Sequence, residues 1–164
     1  MKTLIAVALF AAAPFACLAG PAAAQQARAG DLSIKDAVVR AMPPGAPNTA
    51  AYLTIVNKGS RPDALISASC DCAKSVEPHL SHVMNGQATM MPAGPVTVPA
   101  KGVVSFSPGG YHLMVMGMKG PLKDGSVQEI TLKFRRAGAV KVPFRVETRI
   151  EAAPAQGMGS MKMH

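Results

Sequence analysis

Aromatic residues are scarce in this chain of 164 residues, which has no tryptophan, two tyrosines and five phenylalanines. The net charge is +8, but the basic residues are scattered along the sequence. Nucleic-acid recognition combines clustered basic residues with aromatic side chains that stack on bases, so this composition argues against it. We interpret the positive charge as a solvated surface that attracts acidic partners.

Long apolar runs are also missing, except at the amino terminus. Met1 and Lys2 precede an apolar run over residues 4–18, and three alanines at residues 22–24 follow it. This order is typical of a secretory signal peptide. Pro14 interrupts the run, which is shorter than the ~20 residues that span a bilayer. We therefore expect export, cleavage after Ala24 and no membrane span in the mature protein.

Cysteine is rare, with three residues in the chain. The residues before Cys17 do not resemble a lipoprotein cleavage signal, so we expect Cys17 to be removed with the signal peptide. Cys70 and Cys72 remain, and an export signal implies an oxidising compartment for them. Cysteines two positions apart form a tight ring and bridge badly. A redox-active pair, a metal-binding thiol pair and a link to another chain all stay open.

No long stretch of the chain has the apolar period of a helix. Short apolar runs alternate with Gly-, Pro- and Asn-rich turns, a pattern that predicts an all-β domain. The predicted strands cover residues 32–39, 51–57, 64–69, 75–83, 88–91, 96–98, 103–106, 112–116, 127–134 and 140–147. So many short strands indicate a Greek-key sandwich or barrel at residues 25–151, with a loose leader at 25–30 and a flexible tail at 152–164.

What the chain does have is methionine and histidine, eleven and four residues respectively. They form three clusters: His79, His82, Met84, Met90 and Met91; His112, Met114, Met116 and Met118; and Met158, Met161, Met163 and His164. In a strand, residues two apart share a face about 7 Å apart, so His112 and Met114 can reach one point. Methionine also fills cores, which suits Met116 and Met118 because Gly117 interrupts the strand, but does not suit a flexible tail.

The chemistry of these clusters favours copper. Thioether sulfur is soft and selects Cu(I), and imidazole binds both Cu(I) and Cu(II). The clusters contain no carboxylates, which calcium and magnesium prefer, and zinc sites rarely use thioethers.

Two long spacings in the chain match a known pattern. Ten residues separate His79 from Met90, twenty-one separate Met90 from His112, and Met114 follows one residue later. With GGYHLMVMG at residues 109–117 and ITLKF at 130–134, the chain resembles the PCuAC family of periplasmic copper chaperones from about residue 32 to 146. The resemblance implies a cupredoxin-like β-fold in the periplasm. It also implies one Cu(I) held by His79, Met90, His112 and Met114 and delivered to cytochrome oxidase assembly. The expected partner is a copper-accepting oxidase subunit or another copper assembly protein.

Three features depart from that pattern. His82 lies three residues after His79 and could replace or supplement it. Pro78 removes one ladder hydrogen bond beside His79, which favours an edge strand or strand end. The Met/His tail resembles an extra copper-binding arm of some family members, which is linked to Cu(II) as well as Cu(I).

The alternatives to copper delivery are a blue-copper electron carrier, a copper-sequestering protein, an enzyme and a β-domain without metal function. A blue-copper electron carrier needs a Cys thiolate, but no cysteine falls between His79 and His164. A copper-sequestering resistance protein would use the same ligands. An enzyme is disfavoured because no nucleophile–base constellation or general-base carboxylate accompanies the ligands. An exported β-domain with a Met-rich core and no metal function is the simplest alternative.

Overall fold

The computed structural model describes residues 27–84 and 87–150, and within them the chain forms eleven β-strands. The expected signal peptide, its cleavage site and the Met/His tail at 152–164 lie outside the described residues. The strands are β1 (Ala27–Ala29), β2 (Leu32–Arg40), β3 (Asn48–Asn57), β4 (Asp63–Ser69), β5 (Ala73–Met84), β6 (Gln87–Pro92), β7 (Val96–Val98), β8 (Val103–Phe106), β9 (Tyr111–Met118), β10 (Val127–Phe134) and β11 (Gly138–Glu147).

These strands form one sheet that closes into a barrel. Hydrogen-bonded neighbours run β5–β9–β3–β2–β11–β10–β4, and the β4–β5 pairing at Ala68 and Val76 completes the ring. Four shorter strands attach to the ring: β6 to β5, β7 to β4, β8 to β3 and β1 to β2. The all-β prediction is therefore confirmed, and closure leaves few unpaired strand edges.

Alternation along the strands separates an apolar interior from the outer surface. Leu53 and Ile55 of β3 are almost fully buried, as are Leu113 and Val115 of β9, and their neighbours in sequence face outward. Phe134 and Phe144 are the largest buried side chains of the β10–β11 hairpin. Because Leu113 and Val115 point inward, His112, Met114 and Met116 are left for the outer face.

Each of the ten predicted strands is present, but the loose leader expected at residues 25–30 is wrong in part. Ala27–Ala29 form β1, which pairs antiparallel with β2, and Ala29 is buried in the core. Gly30 has φ of 57°, a left-handed value that lets Gly30 and Asp31 connect β1 and β2 in a tight turn. The Gly-Asp pair is a hairpin signal that the sequence analysis did not use.

Cys70 and Cys72 form a disulfide in the connection between β4 and β5. The expectation that they bridge badly is wrong, because the turn at Asp71 brings their Cα atoms to 5.2 Å, within the usual range for a disulfide. Both half-cystines pack against the hydrophobic core.

Pro78 lies inside β5, which is an interior strand between β6 and β9, so the expectation of an edge strand is wrong. Its carbonyl accepts the N–H of Ala93 at 2.9 Å. The Pro78 nitrogen thus faces the point where pairing with β4 has ended and pairing with β6 begins. The absence of a backbone N–H at Pro78 therefore removes little strand pairing there. The adjacent His79 remains paired with β9.

Candidate metal centre

Three neighbouring strands, β6, β5 and β9, bring the predicted ligands together on the outer face of the barrel. His79 of β5 lies directly opposite His112 of β9, and Met114 lies opposite Glu77, two residues before His79. Met90 of β6 lies opposite Ser81, two residues after His79. The registers of both pairs are uninterrupted here, so all these side chains share one face.

The two imidazoles form the centre of this arrangement. The ring centroids of His79 and His112 are 5.9 Å apart, and the ring planes are tilted by 55°. The Nε2 atoms of both rings are buried and have no hydrogen-bond partner. Buried polar atoms are usually paired, so two orphaned nitrogens in one place indicate a site built for a ligand.

The other ring nitrogen of His112 fixes its tautomer. Nδ1 donates to the carbonyl oxygen of Gly110 at 3.3 Å, and the hydroxyl oxygen of Ser81 lies 3.5 Å from the same nitrogen. A carbonyl only accepts, so Nδ1 carries the proton and Nε2 presents its lone pair. This is the form in which imidazole binds a metal ion.

A tight turn holds that carbonyl in place. Ser107, Pro108, Gly109 and Gly110 connect β8 to β9, and Gly110 N–H donates to the carbonyl of Ser107 at 3.0 Å. Gly109 has φ of 84°, as the third position of a type II turn requires, and proline is favoured before it. The Gly110 carbonyl also accepts the N–H of Ser81 at 3.0 Å, so the turn ties β5 to β9 beside His112.

A cavity of about 270 Å³ opens in front of His112 and Met114. Met90 forms part of its wall and is 59% exposed on strand β6, which among the described strands pairs only with β5. The cavity therefore has three thioethers, those of Met42, Met90 and Met114, and one imidazole on its surface, and it is open to an approaching molecule. A larger groove of about 380 Å³ has no His, Met or Cys in its lining and offers no soft donors.

Strand alternation separates the remaining members of the two clusters from this centre. His82 lies opposite Thr89, and Met91 lies opposite Leu80, on the face of the β5–β6 hairpin away from His79. Met116 is on the outer face beyond Met114, and Met118 packs against the core. Met158, Met161, Met163 and His164 lie outside the described residues.

Two residues of the site were missed by the sequence analysis. Glu77 Oε2 is 3.8 Å from His79 Nε2, so a carboxylate does lie beside the imidazoles. Its position two residues before His79 in a strand was the available signal. Met42 lines the cavity from the connection between β2 and β3, and only tertiary structure brings it there. Within the two described ranges, no group of three His, Cys, Asp or Glu residues is placed to hold a metal ion.

Burial is the largest influence on the His112 pKa and lowers it below the ordinary value for histidine. The hydrogen bond to the Gly110 carbonyl raises it in part, and the neighbouring His79 lowers it further. The ring is therefore neutral at neutral pH, with its Nε2 lone pair available.

The chain is similar to proteins of a known family. Residues 32–146 match the model of the family described as "Putative lipoprotein LpqE-like". The chain belongs to this LpqE-like family. A curated relative from Leifsonia xyli, "Putative lipoprotein Lxx21020", is 34% identical over 117 residues, covering 70% of this chain and 69% of the relative.

Solved structures similar to this LpqE-like chain are PCuAC domains and a related copper protein. The copper-bound PCuAC domain from PmoF2 is 26% identical with a TM-score of 0.66, covering 76% of this chain and 98% of that domain. The apo PCuAC domain from PmoF1 is also 26% identical, with a TM-score of 0.65 and coverages of 76% and 99%. The Cu(I) form of DR1885 from Deinococcus radiodurans is 34% identical with a TM-score of 0.56, covering 79% of this chain and 85% of that protein. The predicted PCuAC resemblance and cupredoxin-like β-fold are confirmed.

No helix of residues 27–84 or 87–150 is long and apolar enough to cross a membrane.

Titration of the apo protein should show His112 with a pKa below the ordinary value of about 6.5. The folded state then binds this proton less readily than the unfolded chain. The contribution of His112 to the free energy of unfolding is therefore complete above the unfolded-state pKa and is lost as the pH falls below it. Side-chain ¹⁵N NMR measures the titration, and the signal missing from His112→Ala assigns it. A His112 pKa at or above the ordinary value would contradict the dominant effect of burial described above.

Proposed function

We propose that this protein binds Cu(I) at the outer face of β5, β6 and β9 and transfers it to a copper-accepting protein. The observation that carries the proposal is the pair of buried Nε2 atoms of His79 and His112, which lack partners and lie beside two methionines. Copper is the cargo of the protein in this proposal, and no catalysed reaction is involved.

The proposed ligands are His79, Met90, His112 and Met114. They come from three strands in continuous register, and their side chains share one face. Two neutral imidazoles and two thioethers form a soft, uncharged donor set that suits a monovalent copper ion. The copper-bound PmoF2 domain and the Cu(I) form of DR1885, which share this fold, support the choice of metal and of oxidation state.

A blue-copper site is not favoured by these residues. Such a site needs a thiolate, and Cys70 and Cys72 are bonded to each other in the β4–β5 connection. Thioether ligands also suit an oxidising compartment, since they bind copper without a thiolate that oxidation would consume.

The position of Met90 favours transfer over sequestration. It is the most exposed of the four proposed ligands and lies on β6, outside the ring of the barrel. An acceptor's ligand can approach the metal from this side and displace Met90 first. We propose a copper-accepting subunit of cytochrome oxidase, or another copper assembly protein, as the acceptor.

We also propose that the protein works in the periplasm after export. Residues 1–24 have the pattern of a signal peptide, and a curated relative and the matching family are named as lipoproteins. Cleavage after Ala24 should leave a soluble chain that begins at Gln25, because the residues before Cys17 do not resemble a lipoprotein signal. The intact mass of the exported protein distinguishes this chain from one that begins with a lipidated Cys17.

Replacing His79 by Ala should weaken Cu(I) binding much more than replacing His82 by Ala. His79 faces His112, whereas His82 is on the opposite face of β5 and serves as the matched control. Competition with a Cu(I) chelator measures both affinities, with thermal unfolding as a check on the fold. Loss of binding in His82→Ala with binding retained in His79→Ala would show that the wrong imidazole has been chosen.

The tail should hold a second copper ion through Met158, Met161, Met163 and His164, as Cu(I) and also as Cu(II). A tethered ligand set has a high effective concentration, on the order of mM for a short flexible linker, and the main site already has four proposed ligands. Truncation after Glu151 should therefore lower the copper stoichiometry from two to one, with little change in the affinity of the remaining site. Metal analysis after equilibrium dialysis measures the stoichiometry. Two coppers on the truncated chain would contradict the assignment, and one copper held much more weakly would mean that the tail closes over the main site.

A further inference from the structure

Met42 lines the cavity of the proposed copper site, although no ligand pattern in the sequence includes it. It lies in the connection between β2 and β3, and is partly exposed. A thioether on the surface of a cavity that already contains His112, Met114 and Met90 is a further soft donor.

Hydrogen bonds and prolines fix the backbone of the β2–β3 connection, in which Met42 lies. Met42 forms an isolated β-bridge with Leu122, and Thr49 Oγ1 donates to the carbonyl of Arg40 at 2.9 Å. Pro47 accepts the N–H of Met118 at 2.9 Å, which fixes the far end of the connection to β9. Prolines at residues 43, 44 and 47 also restrict the backbone. The position of Met42 is thus specified by the fold.

The strand order places Met42 and Met90 on opposite sides of β9, the strand that carries His112 and Met114. Neighbouring strands run β6–β5–β9–β3–β2, so Met90 approaches His112 and Met114 from the β6 side and Met42 from the β2 side. Ala50 of β3, which lies opposite Met114, is small and leaves the space between them open. An acceptor that displaces the exposed Met90 would leave Met42 untouched on the far wall.

We propose that Met42 is an exchange ligand of the copper site, which binds Cu(I) in place of Met90 when Met90 is displaced. The inference rests on the proposed Cu(I) function and adds a step to it. One neutral thioether replaces another, so the copper keeps its oxidation state and its charge, and no proton moves. The ion remains bound on the barrel side while its β6 side is open to the acceptor.

Leucine substitutions test this proposal because they keep the volume and apolarity of methionine and remove only the sulfur. Every variant is made in the full chain with Met158, Met161 and Met163 also changed to leucine, so that the tail supplies no sulfur. Met90→Leu, Met42→Leu and the Met90→Leu/Met42→Leu double variant are compared with the parent. Met116 is the matched control, since it lies on the same face of β9 and does not line the cavity.

X-ray absorption at the copper edge counts the sulfur ligands, and chelator competition measures affinity. We expect Met90→Leu to keep the sulfur number of the parent and to lose less than about tenfold in affinity. The Met90→Leu/Met42→Leu variant should have one sulfur fewer and lose at least about tenfold more, beyond the sum of the single effects. Met90→Leu/Met116→Leu should behave like Met90→Leu.

Two outcomes would overturn the role of Met42. One is a sulfur ligand lost in Met90→Leu itself. The other is a double variant that is no weaker than Met90→Leu. If the parent binds Cu(I) and His112→Ala does not, either of these outcomes rejects Met42 alone and leaves the proposed function in place. A parent that binds no Cu(I) would reject both.

Discussion

The antiparallel pairing of β5 with β9 is the constraint on which the site depends. It places His79 opposite His112 and Glu77 opposite Met114 in one continuous register. A slip of one residue would turn one strand's donors into the core and bring apolar residues to the surface. The buried Leu113 and Val115 oppose such a slip, because each would lose its place in the interior. The core of the barrel thus fixes the geometry of a centre on its outer face.

The turn between β8 and β9 reinforces that register and also determines which ring nitrogen of His112 carries the proton. One carbonyl, that of Gly110, accepts both the Ser81 N–H and the His112 Nδ1–H. The first bond reinforces the β5–β9 register, and the second sets the tautomer that leaves Nε2 free. Leaving a buried polar atom unpaired costs about 1–3 kcal/mol, and the structure leaves two of them in adjacent rings. Metal coordination through Nε2 would remove this cost, so the cost itself favours the bound state.

In the proposed function, different parts of the site serve binding and release of the ion. His79 and His112 are held by central strands of the sheet, and the Nε2 atoms of both are buried. Met90 is on the outermost strand and is largely exposed. A site with buried nitrogens on one side and an exposed thioether on the other can hold an ion firmly and still offer one ligand position for exchange. The half-exposed Glu77 carboxylate lies next to His79 and would attract the proposed Cu(I) ion without being one of its four proposed ligands.

The β class, the positions of ten strands and the spacing of four candidate ligands follow from the amino-acid sequence alone. These are local properties: alternation of apolar residues, turn residues and fixed gaps between His and Met. Alternation within β5 also agrees with the choice of His79 over His82, since residues three apart in a strand face opposite sides. Other features became visible only in the folded chain. They are the bond between Cys70 and Cys72, the interior position of β5, the tautomer of His112 set by Gly110, and the presence of Met42 and Glu77 at the site. For Met42 and Gly110 the physical reason is that pairing between strands distant in sequence sets these contacts, and no local pattern of residues encodes which strands will be neighbours.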